Sequence, residues 1–470
     1  MQALPRHIVA TAAGPTTTRG VAASASLRSR SRFVCPSCQQ QRQQQQQRAS
    51  FSSSSPAPPS SPSSLPPQPP RSGYARLTSR RLISIGGVDA PRFLQGIITS
   101  SVPNVHERGG FYSAFLNATG RVLHDVFVYP DTLRVGVAAD DPSLDSGQAF
   151  LVEVDADQVG ELTRHLRRYM LRSKLKVRAL DEEGDGGCGV WHVWDDSRAS
   201  GADVSALLQQ PSHHHHHQRD TIVLRDDRAP GLGYRILSRT QGSSLSSSQQ
   251  AMADRLGPGH EQTDDATYRV RRYLMGVPEG QAEIPRASAL PLEANLDLMG
   301  GVDFRKGCYV GQELTIRTKH RGVVRKRILP CVVYGATTDE GKAAPSPSPS
   351  PSPEKLEYNN NRPDATAAAV VAAEDIPGDL SIGRDGKRGR SAGNWLRGVG
   401  NIGLALCRLQ VMTDVQLPGE TATAPFDPNN EFVMRWGDGE GEDVGKAVKV
   451  KAFVPEWLRT RLDESNGSSH

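Results

Sequence analysis

Four stretches of biased composition cut this 470-residue chain and restrict any hydrophobic core to the segments between them. From Met1 to Val88 there is neither Asp nor Glu, and the 11 basic residues there are all Arg. Gln39 to Gln47, broken only by Arg42, leads into a Ser/Pro-rich run from Ser52 to Ser72. Ala199 to about Gln262 holds five consecutive histidines, His213–His217, and the Ser-rich stretch Ser243–Ser248. Ala336 to about Asn394 holds repeated Ser-Pro dipeptides at Ser346–Ser352 and an Ala-rich stretch. Such sequences bury too little apolar surface to offset the entropy of ordering them. Residues 51–73 are therefore expected to be a disordered linker, and 199–262 and 336–394 disordered surface insertions. In that setting the histidine run reads as a low-complexity expansion rather than a metal site.

The acid-free leader has a second meaning. An Arg-rich, Ser-rich segment without carboxylates is the composition of a mitochondrial presequence, so residues 1–50 are expected to be one, with the matrix as address. The formal net charge of +5 includes the seven arginines from Arg6 to Arg48, and without them it falls to −2. A whole-chain argument for nucleic-acid binding fails on that ground. No run approaches the ~18 apolar residues that span a bilayer, and no transmembrane segment is expected. Of six cysteines, Cys35 and Cys38 fall in the leader, while Cys188, Cys308, Cys331 and Cys407 are widely spaced. That spacing gives neither a disulfide framework nor a close pair of metal ligands.

Between the biased stretches, short runs rich in Val, Ile, Leu and aromatics predict strands at Arg81–Ile85, Phe111–Leu116, Val122–Tyr129, Leu133–Val137, Leu175–Val177 and Val190–Trp194. Val159, Leu162, Leu166, Tyr169 and Met170 recur at helical spacing and predict an amphipathic helix over Asp157–Arg172. A second helix, Ala266–Leu274, is stopped by Gly276 and Pro278. Ile284–Met299 reads as loop, and Gly398–Met412 with Val448–Phe453 as a small β-rich C-terminal domain. The mixture makes the fold class α+β.

One octapeptide carries chemistry: Lys306-Gly307-Cys308-Tyr309-Val310-Gly311-Gln312-Glu313. Glycine on each side permits unusual backbone conformations and close approach. Neighbouring cations (Lys306, Arg305) and the start of a possible helix favour a thiolate at Cys308, which is both a nucleophile and a soft ligand for iron. Nucleophilic catalysis needs a base, and no sequence-local His supplies one; His320 and His124 can approach only through the fold. Two basic clusters, Arg164, Arg167, Arg168, Arg172, Lys174, Lys176 and Arg178, and then Arg317, Lys319, Arg321, Arg325, Lys326 and Arg327, suit an acidic ligand or partner. Solvated helix faces are the other reading of both.

The octapeptide resembles the K-G-C-[aromatic]-x-G-Q-E signature of the YgfZ-like branch of the folate-binding aminomethyltransferase (GcvT) superfamily. Gly87–Gly96 is similar to that superfamily's G-x-D-A-x-x-F-L-Q-G opening. Thr99 stands where a threonine follows it, although Ser100 and Ser101 replace a common Asn-Asp. Ala114–Asp125 (AFLNATGRVLHD), Leu290–Asp297 (LPLEANLD), Gly403-Leu404-Ala405 and Phe453–Trp457 resemble later motifs in order. The resemblance covers most of residues 74–330 and, more thinly, 398–458.

What the resemblance implies is an assembly factor for iron–sulfur proteins. Residues 74–330 would form folate-binding cloverleaf lobes, and 331–470 a β-barrel-like domain. Tetrahydrofolate is the implied cofactor, with Lys306, Tyr309, Gln312, Glu313, Asn117 and Arg121 as its candidate residues. Gln312 and Glu313 are equally candidates for stabilising the loop, and Tyr309 for filling core. Cys308 is expected to ligate an iron–sulfur cluster shared with a partner, an A-type scaffold or a glutaredoxin, for delivery to 4Fe–4S apoproteins such as aconitase and lipoyl synthase. The aminomethyltransferases of glycine cleavage typically carry two adjacent acids where this chain has His124-Asp125. Asp125 is thus the remaining candidate acid for folate-dependent transfer, the alternative function, and turnover is left open. An adaptor in which the basic clusters matter and Cys308 does not is a third reading.

Overall fold

A computed structural model of the chain describes residues 65–102, 109–145, 147–180, 187–197, 220–240, 245–338, 353–360, 371–386, 389–418, 426–437 and 446–467. The expected presequence, the linker as far as residue 64, the His213–His217 run and the Ser346–Ser352 repeats lie outside the described residues. The chain runs through β1 (Ser72–Arg76), β2 (Arg80–Gly86), α1 (Ala90–Ile97), β3 (Phe111–Leu116), β4 (Val122–Pro130), the short α2 (Val137–Asp140), β5 (Ala149–Asp155), α3 (Val159–Met170) and β6 (Lys176–Ala179). It continues through β7 (Cys188–Asp195), β8 (Thr221–Arg225), β9 (Tyr234–Arg239), α4 (Leu245–Leu256), β10 (Glu261–Thr263), α5 (Asp265–Leu274) and α6 (Gln312–Arg321). Then come β11 (Lys326–Thr338), β12 (Ser381–Arg384), β13 (Gly393–Val399), β14 (Ile402–Arg408), α7 (Leu409–Met412), β15 (Phe432–Trp436), β16 (Lys446–Ala452) and α8 (Glu456–Gly467).

These strands make three sheets. The first, in the order β3-β4-β5-β2-β6, is antiparallel throughout. All nine residues of β4 are buried because both of its faces are covered. Val126 and Val128 pack with Phe93 and Leu94 of α1 and with Leu162 and Leu166 of α3. Phe127 and Tyr129, one residue out of phase, join the core shared with the second sheet and α5, as the two-residue period of a strand requires. The second sheet has the order β10-β1-β7-β9-β8, with β10 parallel to β1 and the other pairs antiparallel. Its outer face buries Trp191, Val193 and Ile236 under Met252 and Leu256 of α4. The third sheet closes on itself as β11-β14-β13-β12-β15-β16, with Trp395, Leu329 and Met434 inside and Leu458 and Leu462 of α8 packed against it. Closure leaves no exposed strand edge. The α+β class and the C-terminal barrel are thus as the sequence predicts.

Four expectations are corrected. Leu133–Val137 is not a strand: Arg134 and Gly136 have φ of 52° and 68°, and Asp131 Oδ1 accepts from Val135 N at 3.1 Å, closing a turn. The span 199–262 is not a surface insertion where it is described. β8 and β9 form a hairpin in register from Thr221↔Ser238 to Arg225↔Tyr234, and α4 takes up Ser246–Ser248 of the Ser-rich run. Likewise 336–394 contributes β12, the start of β13 and the buried Tyr358, Ile376 and Ile382. The linker's last residues are pinned, Trp194 Nε1 donating to Pro70 O at 2.8 Å and Tyr358 Oη to Pro66 O at 2.7 Å. In the two expected insertions a few apolar residues, diluted by the biased sequence beside them, find distant partners in the core.

Candidate functional site

The cysteine loop is laid across the edge of the first sheet by backbone contacts. Gly311, φ 80°, precedes α6, and a Cβ there would stand 2.2 Å from Asn117 O. Across the contact Gly120, φ 79°, would bring a Cβ to 2.9 Å from Gly311 O. Only glycine takes this conformation readily and allows this approach. The β3–β4 turn that receives them is fixed by Asn117, whose Oδ1 accepts from Thr119 N at 3.0 Å, Thr119 Oγ1 at 2.8 Å and Arg121 N at 2.9 Å. The Arg121 guanidinium donates to Ser288 O at 2.7 Å.

The other side of the loop is fastened to the end of α1. Val310 N donates to Gly96 O at 3.1 Å and Asp303 N to Thr99 O at 3.0 Å. Lys306 Nζ donates to Ile98 O at 2.7 Å and Ser100 O at 2.9 Å, and lies 5.0 Å from the Tyr309 ring centroid. Burial brings this lysine down to about 8, against a smaller opposing pull from Asp303. Tyr309 is itself buried with the central core, and burial pushes its hydroxyl up to about 12. Gln312 Oε1 accepts from Tyr309 N at 3.4 Å. Glu313 lies in the first turn of α6, the end of a helix dipole where a carboxylate is favoured.

Cys308 stands out of this platform, exposed, between neighbours that are held. Nothing lies within 4 Å of where a Gly307 side chain would begin, so the backbone beside the thiol is bare. α6 starts four residues later, at Gln312, so the thiol is not at the helix terminus, and the Lys306 ammonium is bonded to backbone carbonyls. Of the two histidines weighed as a base, His320 lies in the last turn of α6. His124 is fully buried with neither ring nitrogen bonded, and burial, aided by Arg286, lowers it to about 3. Among the described residues no three His, Cys, Asp or Glu side chains come together as a metal site. The loop therefore offers one accessible thiol on a rigid base, a single ligand or a single nucleophile.

Asp125 belongs to a different place. It lies at zero exposure between the first two sheets. There Gly280 N donates to its Oδ1 at 3.1 Å and Arg80 Nη1 to its Oδ2 at 3.3 Å. Burial pushes its carboxyl up, and Arg80 offsets only part of that. Around it, Arg80 Nε and Arg235 Nη1 each meet Glu153 Oε1 at 2.9 Å. Arg228 Nη1 meets Glu279 Oε2 at 2.8 Å, and Arg235 pairs with the same oxygen. Arg272 meets Glu283 at 2.6 Å. Burial alone would raise Glu279, but Arg235, Arg228, Arg272 and Arg80 outweigh it and hold that carboxyl well below the usual range. No sequence motif marks this cluster. Its sequence signal is Arg235, which shares the inward phase of β9 with the core residue Leu237.

A cleft of about 580 Å3 opens beside the cluster, lined by Tyr112, Phe127, Leu224, Asp226, Arg228, Met299 and Arg461 among others. None of Lys306, Tyr309, Gln312, Glu313, Asn117 and Arg121 lines it. The second basic cluster is largely spent on structure. Arg327 clasps Asp297 at 2.9 and 3.0 Å, Lys326 pairs with Glu293 at 3.0 Å, and Lys319 donates to Ser465 at 2.6 Å.

No family model matches the chain. It is 49% identical to an iron–sulfur cluster assembly factor IBA57 homolog, mitochondrial, from Pyricularia oryzae, over 83% of this chain and 86% of that one. Proteins of the same description from Chaetomium globosum (47%, covering 84% and 85%) and Neurospora crassa (45%, covering 83% and 82%) are similar to it. Among solved structures it is similar to the glycine cleavage system aminomethyltransferase T from Bartonella henselae. That match has a TM-score of 0.49 at 12% identity, covering 82% and 86% of the two chains.

Proposed function

The chain belongs to the IBA57 family of mitochondrial iron–sulfur cluster assembly factors, and from that membership we propose that it works in mitochondria as such a factor, with Cys308 as its reacting group. The observation that carries this is the exposed thiol on a loop whose other side chains and backbone are fixed from two sides. The cluster is cargo. Cys308, its proton lost to solvent, donates a sulfur lone pair to one iron, and one iron–ligand bond on the carrier breaks in exchange. The remaining ligands come from the carrier, since four cysteines ordinarily hold a cluster. The bare backbone at Gly307 leaves room for the inorganic core. Lys306, Tyr309, Gln312, Asn117 and Arg121 position the thiol in this reading. An A-type scaffold or a glutaredoxin is the carrier in the matrix, and 4Fe–4S apoproteins such as aconitase and lipoyl synthase are the clients.

Tetrahydrofolate, which the resemblance implies, is assigned to the 580 Å3 cleft, a size suited to a small cofactor. Tyr112, Phe127 and Met299 offer an apolar slot, the paired Asp226 and Arg228 a charged wall, and Arg461 a cation at its edge. The buried, unpartnered Tyr112 hydroxyl supports the fit. When bound, folate supplies a carrier for one-carbon units. Tyr112→Phe should weaken folate binding in a fluorescence titration, and an unchanged affinity removes the cleft from consideration. Aminomethyl transfer is not favoured, because Asp125 has both oxygens bonded and does not line the cleft.

The deciding experiment is aconitase activity in cells lacking this chain and expressing Cys308→Ala at matched abundance, with the wild type as rescue control. Loss of activity supports ligation by the thiol. Full rescue sinks it and moves attention to the folate cleft.

A further inference from the structure

Two large hydrophobic side chains stand exposed among the described residues, Val88 at 59% and Leu171 at 87%. They belong to turns that are tied together. Lys174 N donates to Asp89 Oδ2 at 2.7 Å, and Gly87 passes so close that a Cβ would lie 2.3 Å from Lys174 O. Leu171 ends α3 with φ 43° and ψ −105°, a conformation that an L-residue adopts only under constraint. An open cleft of about 730 Å3 lies beside it, between the first turn of α1 and the end of α3, floored by Phe93 and Tyr169. Arg92 and Arg172 line its rim, with Arg168 and Lys174 exposed nearby. None of these four cations makes an ion pair with another described residue, whereas the cations after the cysteine loop are mostly bonded. The single carboxylate in the lining, Asp89, is occupied by Lys174 N.

We propose that this face docks an acidic protein surface carrying a protruding apolar side chain, and that this partner is the carrier whose cluster meets Cys308. The charge pattern selects the partner's sign, and the two aliphatic posts with their aromatic floor take its apolar residue. Position supports the assignment. α1 lines the cleft with its first turn, and its other end, at Gly96 O, holds Val310, two residues from Cys308. Eight helical residues span roughly 10–12 Å, so a protein seated on the face reaches the thiol. Phe93, Tyr169 and Val310 also pack in one hydrophobic cluster, which makes face and loop parts of one rigid lobe. The proposal rests on the assembly-factor reading above.

The test uses cells lacking the chain and expressing Leu171→Gly or the pair Arg92→Glu, Arg172→Glu, each at low and at high abundance. Leu171→Gly removes the apolar side chain and relaxes the backbone, so the purified variant should melt no lower than the wild type. At low abundance both variants should lose aconitase activity, by roughly tenfold if Leu171 is a docking hot spot. At high abundance activity should return, because a weakened association yields to mass action. Cys308→Ala should stay inactive at both levels; if it does not, the assembly reading fails, independently of the docking face. Full activity of both variants at low abundance overturns the proposal, as does a loss that high abundance leaves in place. Flotation of the purified chain with cardiolipin-containing vesicles distinguishes a membrane. Binding that Leu171→Gly abolishes would make the face a lipid anchor and overturn the protein-docking assignment.

Discussion

The thiol loop and the charged centre between the first two sheets solve opposite problems with similar residues. In the centre, arginines and carboxylates are buried, and almost every charge has a counter-charge near 3 Å. At the loop, the one cation with a defined bond, Lys306, faces backbone carbonyls, and the Cys308 thiol faces solvent. The centre is a structure whose parts cannot be removed singly, whereas the loop is a structure built so that one part has no structural duty. Asp125 and Cys308, both candidates for chemistry from sequence, fall on opposite sides of that line.

The contrast can be broken most directly at Glu279, which faces three arginines. Glu279→Ala leaves buried guanidinium groups without their counter-charge and should cost about 3–5 kcal/mol, read from denaturant unfolding. A loss below ~1 kcal/mol would mean that water or rearranged neighbours replace it. Next in size is the low-pH limb. His124 and His192 are both held near 3 in the fold, chiefly by burial, against 6.5 when exposed. The unfolded chain therefore binds protons that the fold refuses, and stability falls as pH drops below 6.5. By pH 5 the loss is about 2 kcal/mol for each histidine. Asp131, raised to about 6 by burial, works the other way and returns part of this between pH 6 and 3.8. His124→Leu should flatten the slope by up to one proton and leave neutral-pH stability nearly unchanged, since its ring nitrogens have no partner to lose. An unaltered slope would mean that His124 titrates normally.

Within the loop itself the two glycines sharpen the comparison. Gly311→Ala forces a side chain into positive φ and against Asn117 O, and should cost about 2 kcal/mol. Gly307→Ala meets open space and should stay within about 0.5 kcal/mol of the wild type, while hindering cluster transfer. Equal melting temperatures for the two variants would refute the backbone-clamp description. Smallest of all, Cys308→Ser should leave unfolding unchanged within error, because the side chain touches nothing the fold depends on.

Much of this was readable in advance where the relevant interactions are local. α3 follows from the spacing of Leu162 and Leu166, β3 and β4 from short runs rich in aliphatic and aromatic residues, and α5 from its stop at Gly276. The β8–β9 hairpin was not readable, because its few apolar residues lie amid biased sequence and gain their partners from β7 and α5. The Cys308 octapeptide is legible as a candidate site, but the duty of its neighbours is not. Lys306 looks like an electrostatic aid to the thiol until the carbonyls of Ile98 and Ser100, some two hundred residues earlier, come within hydrogen-bond distance. Asp125 reads as a free acid until Arg80 and Gly280 are seen to engage both its oxygens. Sequence shows which groups are reactive in kind, and only the fold shows which are already engaged.

The Arg327–Asp297 clasp has a consequence for how far the thiol can travel. The bidentate pair closes a ring of chain that contains Cys308, and β11 anchors the same ring through Asn295 Nδ2 to Ile328 O at 2.7 Å. Such a closure acts as a non-covalent staple, bounding the excursion of every atom inside it even when local bonds fray. Amide protons at Asp303 and Val310 should then exchange slowly and together, in step with opening of the clasp, so that the sulfur keeps its address while its immediate surroundings breathe.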